Sequence, residues 1–464
     1  MSKSIPSLLQ PRQPRAGQRI RWSALYGASS RLALAEAIAA DSRLWLIVAD
    51  DARELDPLQA ELEFFLDGRA VVHAFPDWEV LPYDSFSPHS EIISERLATL
   101  AELPRLKKGA VLVAADTLVQ RLPPRGYVDG RSFVLQVGER LPVEPLRQRL
   151  IEAGYAAVGQ VADPGEFAVR GALVDVFPMG ATQPLRLDLF DEEIETIRTF
   201  DPETQRSIAT LTNVRLLPGR EMPLDPESIK GFRRRYRGRF EGDPNKSQIY
   251  RGVSDGIAPA GIEFYLPLFF ETTASLLDYL PQETVVAADT DLESSLARIW
   301  ESIETRYEDR RHDLERPLLA PREVFIEPHK LLEHCARAAR VEWQHFKIET
   351  TASTEVAPAT AQQPDTDQDE IQNFATAAPR DLRLDARADQ PLAPLEQYLA
   401  AVGGRVLIVA ESPGRREMLQ QMLRAAGLEA SAVSGWGEFL QQAAPVALTI
   451  ASDVGGLALP DAKV

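Results

Sequence analysis

The residues in this chain that could do chemistry are few, and their spacing argues against catalysis. A phosphate-gripping loop needs closely spaced glycines whose backbone N–H groups face the anion. It also needs a lysine for the outer phosphates and a hydroxyl for magnesium. No Gly-x-x-x-x-Gly-Lys-Ser/Thr occurs, and no Gly-x-Gly-x-x-Gly. The nearest approach is Tyr26-Gly27-Ala28-Ser29-Ser30-Arg31, a turn placed to open a helix, where an anion could sit. Gly27, Ser29, Ser30 and Arg31 therefore mark a degenerate phosphate-loop position, without the lysine or the second glycine. An inert turn and a weak anion site both remain open there. His73, His89, His312, His329, His334 and His345 are scattered. The five-residue step from His329 to His334 does not place two imidazoles on one helical face. Asp191-Glu192-Glu193 reads as a solvated turn, and no Gly-x-Ser-x-Gly elbow is present. The expected catalytic, metal and cofactor residues are none.

Cys335 is the single cysteine, which excludes a disulfide framework and any cysteine-based zinc site. No run approaches the roughly 18–20 apolar residues of a membrane span, and the basic, proline-rich start has no apolar stretch behind it. We expect a cytoplasmic chain, monomeric, with no membrane partner. Net charge is −18, so long-range attraction to phosphate backbones is disfavoured and protein partners come first. One exception is local: Arg233-Arg234-Arg235-Tyr236-Arg237-Gly238-Arg239 interleaves cations with aromatics. It reads either as a helix face paired with the surplus carboxylates or as a phosphate-backbone contact.

At 464 residues the chain should hold three or four domains. Residues 1–126 alternate strands and helices: a strand over 21–26, a helix over 32–40, buried strands at 44–49, 70–74 and 110–114, and a helix over 90–103. That order predicts a mostly parallel sheet covered on both faces. Residues 127–212 switch to period-two patterning and predict an antiparallel meander with one helix, an α+β insert. Residues 213–349 return to α/β character at 276–280 and 285–288, with a long amphipathic helix over 292–310. Residues 350–392 are rich in Ala, Thr, Gln, Pro and Asp, and predict a flexible linker. Residues 393–464 predict a small α/β unit that looks cut short at Val464, before a closing element.

In Leu185-Arg186-Leu187-Asp188-Leu189-Phe190 the leucines fall on one face and Arg186, Asp188 and Phe190 on the other. A phenylalanine on a polar face needs a cover. Arginines beside it would make an interface anchor of bidentate donors and apolar area. The competing reading is a cross-strand ion pair of Arg170 or Arg186 with Asp188 or Glu166.

Four ordered blocks together resemble the transcription–repair coupling factors (Mfd). They are Phe75-Pro76-Asp77-Trp78-Glu79-Val80-Leu81-Pro82-Tyr83-Asp84 with Ser94-Glu95-Arg96-Leu97; Gly165-Glu166-Phe167 with Arg170 to Gly180; Arg186-Leu187-Asp188 through Phe200-Asp201; and Gly256 to Phe270. The final unit is similar to the family's third domain. The resemblance implies a helicase-like module similar to the excinuclease subunit UvrB, with its ATP site lost, and an inserted second domain that binds UvrA. It places Arg170, Arg186 and Phe190 in that contact, with Asp188 nearby. It also implies that RNA polymerase, double-stranded DNA, ATP and magnesium belong to motor and polymerase-binding domains downstream, and that a carboxy-terminal domain lacking here would cover the same face. The expectation is a non-enzymatic adaptor in transcription-coupled repair. Two alternatives are a damaged-DNA-contacting module, disfavoured because no aromatic-tipped hairpin is visible between Asp84 and Ser94, and a residual nucleotidase using Ser29, Ser30 and Arg31.

Overall fold

The computed structural model describes residues 6–349, 370–380, 382, 392–452 and 454–464, without the side chain of Val402. Its centre is a seven-stranded parallel sheet. The strand order is Glu370–Asn373, Arg19–Ser23, Ala339–Trp343, Val285–Asp289, Leu44–Ala49, Gly109–Ala114 and Val72–Phe75. The middle strands Leu-Trp-Leu-Ile-Val-Ala and Gly-Ala-Val-Leu-Val-Ala are buried on both faces, as continuous apolar runs in a covered parallel sheet must be. Two of the central strands come from residues after the insert. Residues 1–126 and 213–349 therefore build one sheet, and neither could close it alone.

Three sequence expectations shift. The first strand is Arg19–Ser23, not 21–26, because Ala24 takes a positive φ of 59° and turns the chain out of the sheet. Leu276–Tyr279 is a short 3-10 turn capped by Ser275 rather than a regular element. The expected linker contains structure: Glu370–Asn373 pairs in parallel with Arg19–Ser23 at the sheet edge, and Phe374 packs against Trp22 at 5.9 Å. An edge strand buries one side only, so its polar Glu-Ile-Gln-Asn sequence has no apolar run to announce it. Residues 350–369, 381 and 383–391 lie outside the described residues.

The insert leaves the module through Phe133–Gln136 and returns through Asn213–Leu216, which pair antiparallel as a two-stranded neck. Beyond it lies a six-stranded sheet of order Ser207–Leu211, Glu193–Phe200, Leu185–Phe190, Leu173–Val176, Glu166–Arg170 and Ala156–Ala157. The helix Val143–Glu152 buries Leu146 and Leu150 in the same core.

Where the insert meets the module, polar groups are buried that should not be left without partners. Arg96 (0% exposed) donates from Nε to Glu221 Oε1 at 2.8 Å and from Nη1 to the Pro76 carbonyl at 2.8 Å. Its guanidinium also lies over the rings of Phe75 and Trp78, and Trp78 Nε1 donates to Glu221 at 3.2 Å. Beside it, the Gly180 N–H donates to Ser94 Oγ at 2.7 Å. Gly180 has φ +81°, and a Cβ there would meet the Ala98 Cβ at 2.8 Å, so only glycine lets the two parts approach this closely. The Phe-Pro-Asp-Trp and Ser-Glu-Arg-Leu segments are thus the seat on which the insert rests.

Burial of Glu263 at the same seam pushes its carboxyl up to about 7 from 4.5, although Ser87 Oγ donates to it at 2.8 Å. The folded chain then holds a proton that the unfolded chain releases, so stability falls as pH rises from about 4.5 towards 7. Glu263→Gln should flatten that slope, by about 2 kcal/mol over the window, as measured by urea melts at pH 5 and pH 7. An unchanged slope would show that the carboxyl titrates normally.

The final unit is a three-stranded parallel sheet with Val446–Ile450 between Val406–Ala410 and Ser431–Ala432. Its short helix Trp436–Gln441 sets Trp436 edge-on to Phe65 at 5.2 Å, so the unit packs onto the large module. That helix and the two-residue strand were not foreseen.

Candidate functional site: an arginine-lined sheet face

The candidate site lies on the outward face of the insert's sheet. Burial along Leu185–Phe190 alternates, with Leu185, Leu187 and Leu189 inside and Arg186, Asp188 and Phe190 outside. Cross-strand register extends this face in rows. Ala168, Asp175, Arg186, Arg198 and Thr210 stand opposite one another, and Arg170, Leu173, Asp188 and Thr196 form the adjacent row.

Arg186 and Arg198 face each other directly, a like-charge pairing that would repel. Two aspartates relieve it. Asp175, 1% exposed, accepts from Arg186 Nε at 2.7 Å and Nη2 at 2.9 Å, a bidentate fork. Its second oxygen also accepts from Arg170. Arg198 donates instead to Asp188, which accepts from Thr196 Oγ1 at 2.8 Å as well. The Arg186 guanidinium lies 4.5 Å above the Phe200 ring, and its Nη2 also donates to Gln205 Oε1 at 2.9 Å. Hydrogen bonding to Asp175 holds Arg186 in its charged form, above its ordinary pKa. Three arginines thus share two aspartates at the centre of this face.

The ion-pair reading is therefore half right, with a different partner. Arg170 and Arg186 share Asp175, not Asp188 or Glu166. Glu166 accepts the backbone N–H groups of Ala162 and Asp163. Asp175 and Arg198 were missed. The signal for Asp175 was present as one acid among valines in Leu173-Val174-Asp175-Val176, but only the register places it against Arg186. Pairing does not hide the arginines completely. The Arg170 side chain stays 47% exposed, while Arg186 is mostly covered at 16%. Phe190 is 68% exposed at the hairpin end, beside Asp191 and Glu192. Both turn residues have positive φ, 46° and 67°, the two-residue turn that matches strand twist, here made without glycine.

The degenerate phosphate-loop position is occupied by the chain itself. The Ala28 N–H donates to the Gly456 carbonyl at 3.0 Å, and a Cβ on Gly27 would lie 2.2 Å from that same oxygen. Ser29 and Ser30 are fully buried. Ser29 Oγ donates to the Tyr26 carbonyl at 2.6 Å, and Arg31 pairs with Glu61 at 3.2 Å. Residues 76–89 carry no strand, so no hairpin rises there. Among the described residues no cluster of potential ligands could hold a metal, and no helix is long and apolar enough to cross a membrane.

Comparison with known proteins follows this geometry closely. A family described as the UvrB interaction domain matches residues 133–222, the neck and the whole arginine-bearing sheet. A family described as the MFD D3 domain matches residues 398–464. The chain is 36% identical over 416 residues to the transcription-repair-coupling factor of Haemophilus influenzae, spanning 89% of this chain and 34% of that protein. The chain is thus similar to an amino-terminal part of the transcription-repair-coupling factors. The Escherichia coli relative is 37% identical over 410 residues, covering 88% of this chain and 34% of its own length. The Myxococcus xanthus relative is 33% identical over 307 residues, or 62% of this chain. The chain thus spans about a third of the length of the curated relatives it matches, an amino-terminal part of them.

Proposed function

We propose that this chain is the adaptor part of a transcription-repair-coupling factor, and that the outward face of its insert docks the excinuclease subunit UvrA. Recruitment of UvrA to stalled transcription would couple the two processes that the relatives' names join. The observation that carries this reading is Phe190, two-thirds exposed at the end of a face whose arginines are already set in position by Asp175. A large apolar side chain beside pre-oriented guanidiniums is the composition of an interface anchor, because little conformational freedom remains to be lost on binding. The ATP-driven translocase and the polymerase contact expected of the full-length family fall to the part of the relatives that this chain does not match. The degenerate phosphate-loop position offers no phosphate cradle. The helix start that could have done so spends its Ala28 N–H on Gly456 and buries both serines. That favours an adaptor over a nucleotidase, and the strandless loop 76–89 favours it over a strand-separating damage reader.

Purified chain should capture UvrA. Arg186→Ala and Phe190→Ala should each weaken the complex by about 1–3 kcal/mol, read by calorimetry or surface plasmon resonance. Undiminished affinity in the double variant would sink the assignment.

A further inference from the structure

The basic run lies on the helix Pro226–Arg239, and the structure separates its cations into two groups. Arg235 turns inward and donates to the carbonyls of Leu268 and Phe269 at 2.7 and 2.8 Å. Arg239 makes a fork to Glu323 at 2.7 and 2.6 Å. The remaining four, Lys230, Arg233, Arg234 and Arg237, follow the i, i+3, i+4, i+7 spacing of one helical face, and all are exposed. Among the described residues, the only carboxylate within ion-pair reach of any of them is Glu227, 3.9 Å from Lys230 with both side chains about four-fifths in solvent. Such a pair contributes little. In a chain with 69 acidic residues against 51 basic ones, four cations left together without neutralisation need an explanation.

Two further features point outward. Arg233 and Arg237 sit 5.7 and 5.5 Å from the Tyr250 ring, and Arg233 Nε also donates to Tyr250 Oη at 3.1 Å. One buried tyrosine thus steadies two guanidiniums from below. Gly231 and Gly238 interrupt the helix on the strip bordering Arg234. Glycine weakens a helix interior, and the fold does not require it at Gly238, where an added Cβ would meet nothing within 4 Å. Missing side chains next to a row of cations give a smooth surface that a backbone can approach closely.

We infer that this face of the helix docks on the phosphate backbone of duplex DNA. The aromatics of the run decide between double and single strands. Phe232 and Tyr236 are buried at 0% and 2% exposure, and Phe240 is half-buried against Tyr236, so no ring stands free for bases to stack on. What remains is charge along about 10 Å of helix axis, which reads phosphates and no sequence. The choice of DNA over another polyanion rests on the repair reading. The contact itself involves neither Phe190 nor Arg186, so each can fail without the other.

The test is fluorescence anisotropy with a labelled duplex of about 30 base pairs at roughly 50 and 200 mM salt. The full chain should bind with a log–log salt slope of about 3–4, one increment per neutralised phosphate. Arg233→Gln/Arg234→Gln/Arg237→Gln should reduce that slope by about 2.7 and weaken binding at least about 10-fold at low salt. Its capture of UvrA should be unchanged, since these side chains lie outside the insert, and a cooperative thermal melt should show that it still folds without the Arg233–Tyr250 hydrogen bond. Gly238→Leu, which keeps every cation, should weaken binding by obstructing approach. Absent or salt-independent binding by the parent chain would overturn the inference, as would equal binding by the triple variant. Equally tight binding of single-stranded DNA or of poly-glutamate, lost in the same variant, would overturn it in favour of a different polyanion.

Discussion

Arg96→Ala is expected to cost about 3–5 kcal/mol of folding stability, the usual consequence of removing one partner from a buried ion pair. The reason lies in what is left behind. Glu221 is 1% exposed and has Arg96 as its ionic partner. Without the guanidinium its charge remains in an apolar seam among Phe75, Trp78 and Phe264, with only the Trp78 indole N–H as donor. Arg96→Lys should recover little, since an ammonium cannot serve both the Glu221 carboxylate and the Pro76 carbonyl from one planar group. Arg96→Met/Glu221→Leu should be much milder than either single change, because replacing both charges removes the desolvation cost together with the attraction. Urea denaturation of the three variants checks this. A single-variant loss below about 1 kcal/mol would mean that the pair is hydrated in solution. The loss should appear in the module itself, since Arg96 and Glu221 both lie outside the insert, Glu221 just after the neck strand Asn213–Leu216.

The second large effect is expected at Asp175, which does not itself present to a partner. Asp175→Asn keeps the shape but removes the charge that holds Arg186 and Arg170 together. Stability should fall by about 2–4 kcal/mol, because Arg186 is largely buried and would then face Arg198 with its own counter-charge gone. The functional consequence should exceed that of Arg170→Ala. Losing Arg170 removes one half-exposed donor, whereas losing the Asp175 charge unsettles both guanidiniums on the face that ends at Phe190. Measuring UvrA affinity and the urea midpoint for both variants separates the roles. If Asp175→Asn binds UvrA normally at full folded population, pre-orientation of the arginines does not matter to docking.

Both expectations concern residues whose types were visible in the chain but whose partners were not. Parity along Leu185 to Phe190 was enough to place Arg186 and Phe190 on the outer face, because strand alternation is local and one face must be apolar. The α/β order of the first block, the meander of the insert and the return to a parallel sheet were readable for the same reason. Buried parallel strands and half-buried antiparallel strands leave different apolar periods. The missing phosphate-loop lysine was equally plain, since its requirement is a short contiguous pattern.

What sequence could not determine was anything that depends on residues distant in the chain. Asp175 as the shared counter-charge needed the register between two strands. Arg96 with Glu221 needed two segments 125 residues apart to be folded against each other. The strand Glu370–Asn373 sits in a segment whose composition resembles a linker, because an edge strand draws its hydrogen bonds from a neighbour and needs little apolar surface of its own. The fate of the phosphate-loop remnant was settled by Gly456, more than 400 residues away in sequence and 3.0 Å away in space. Local periodicity thus determined the elements and the polarity of their faces. Tertiary structure alone decided which charges meet, since Coulomb energy and hydrogen bonding depend on distance in space.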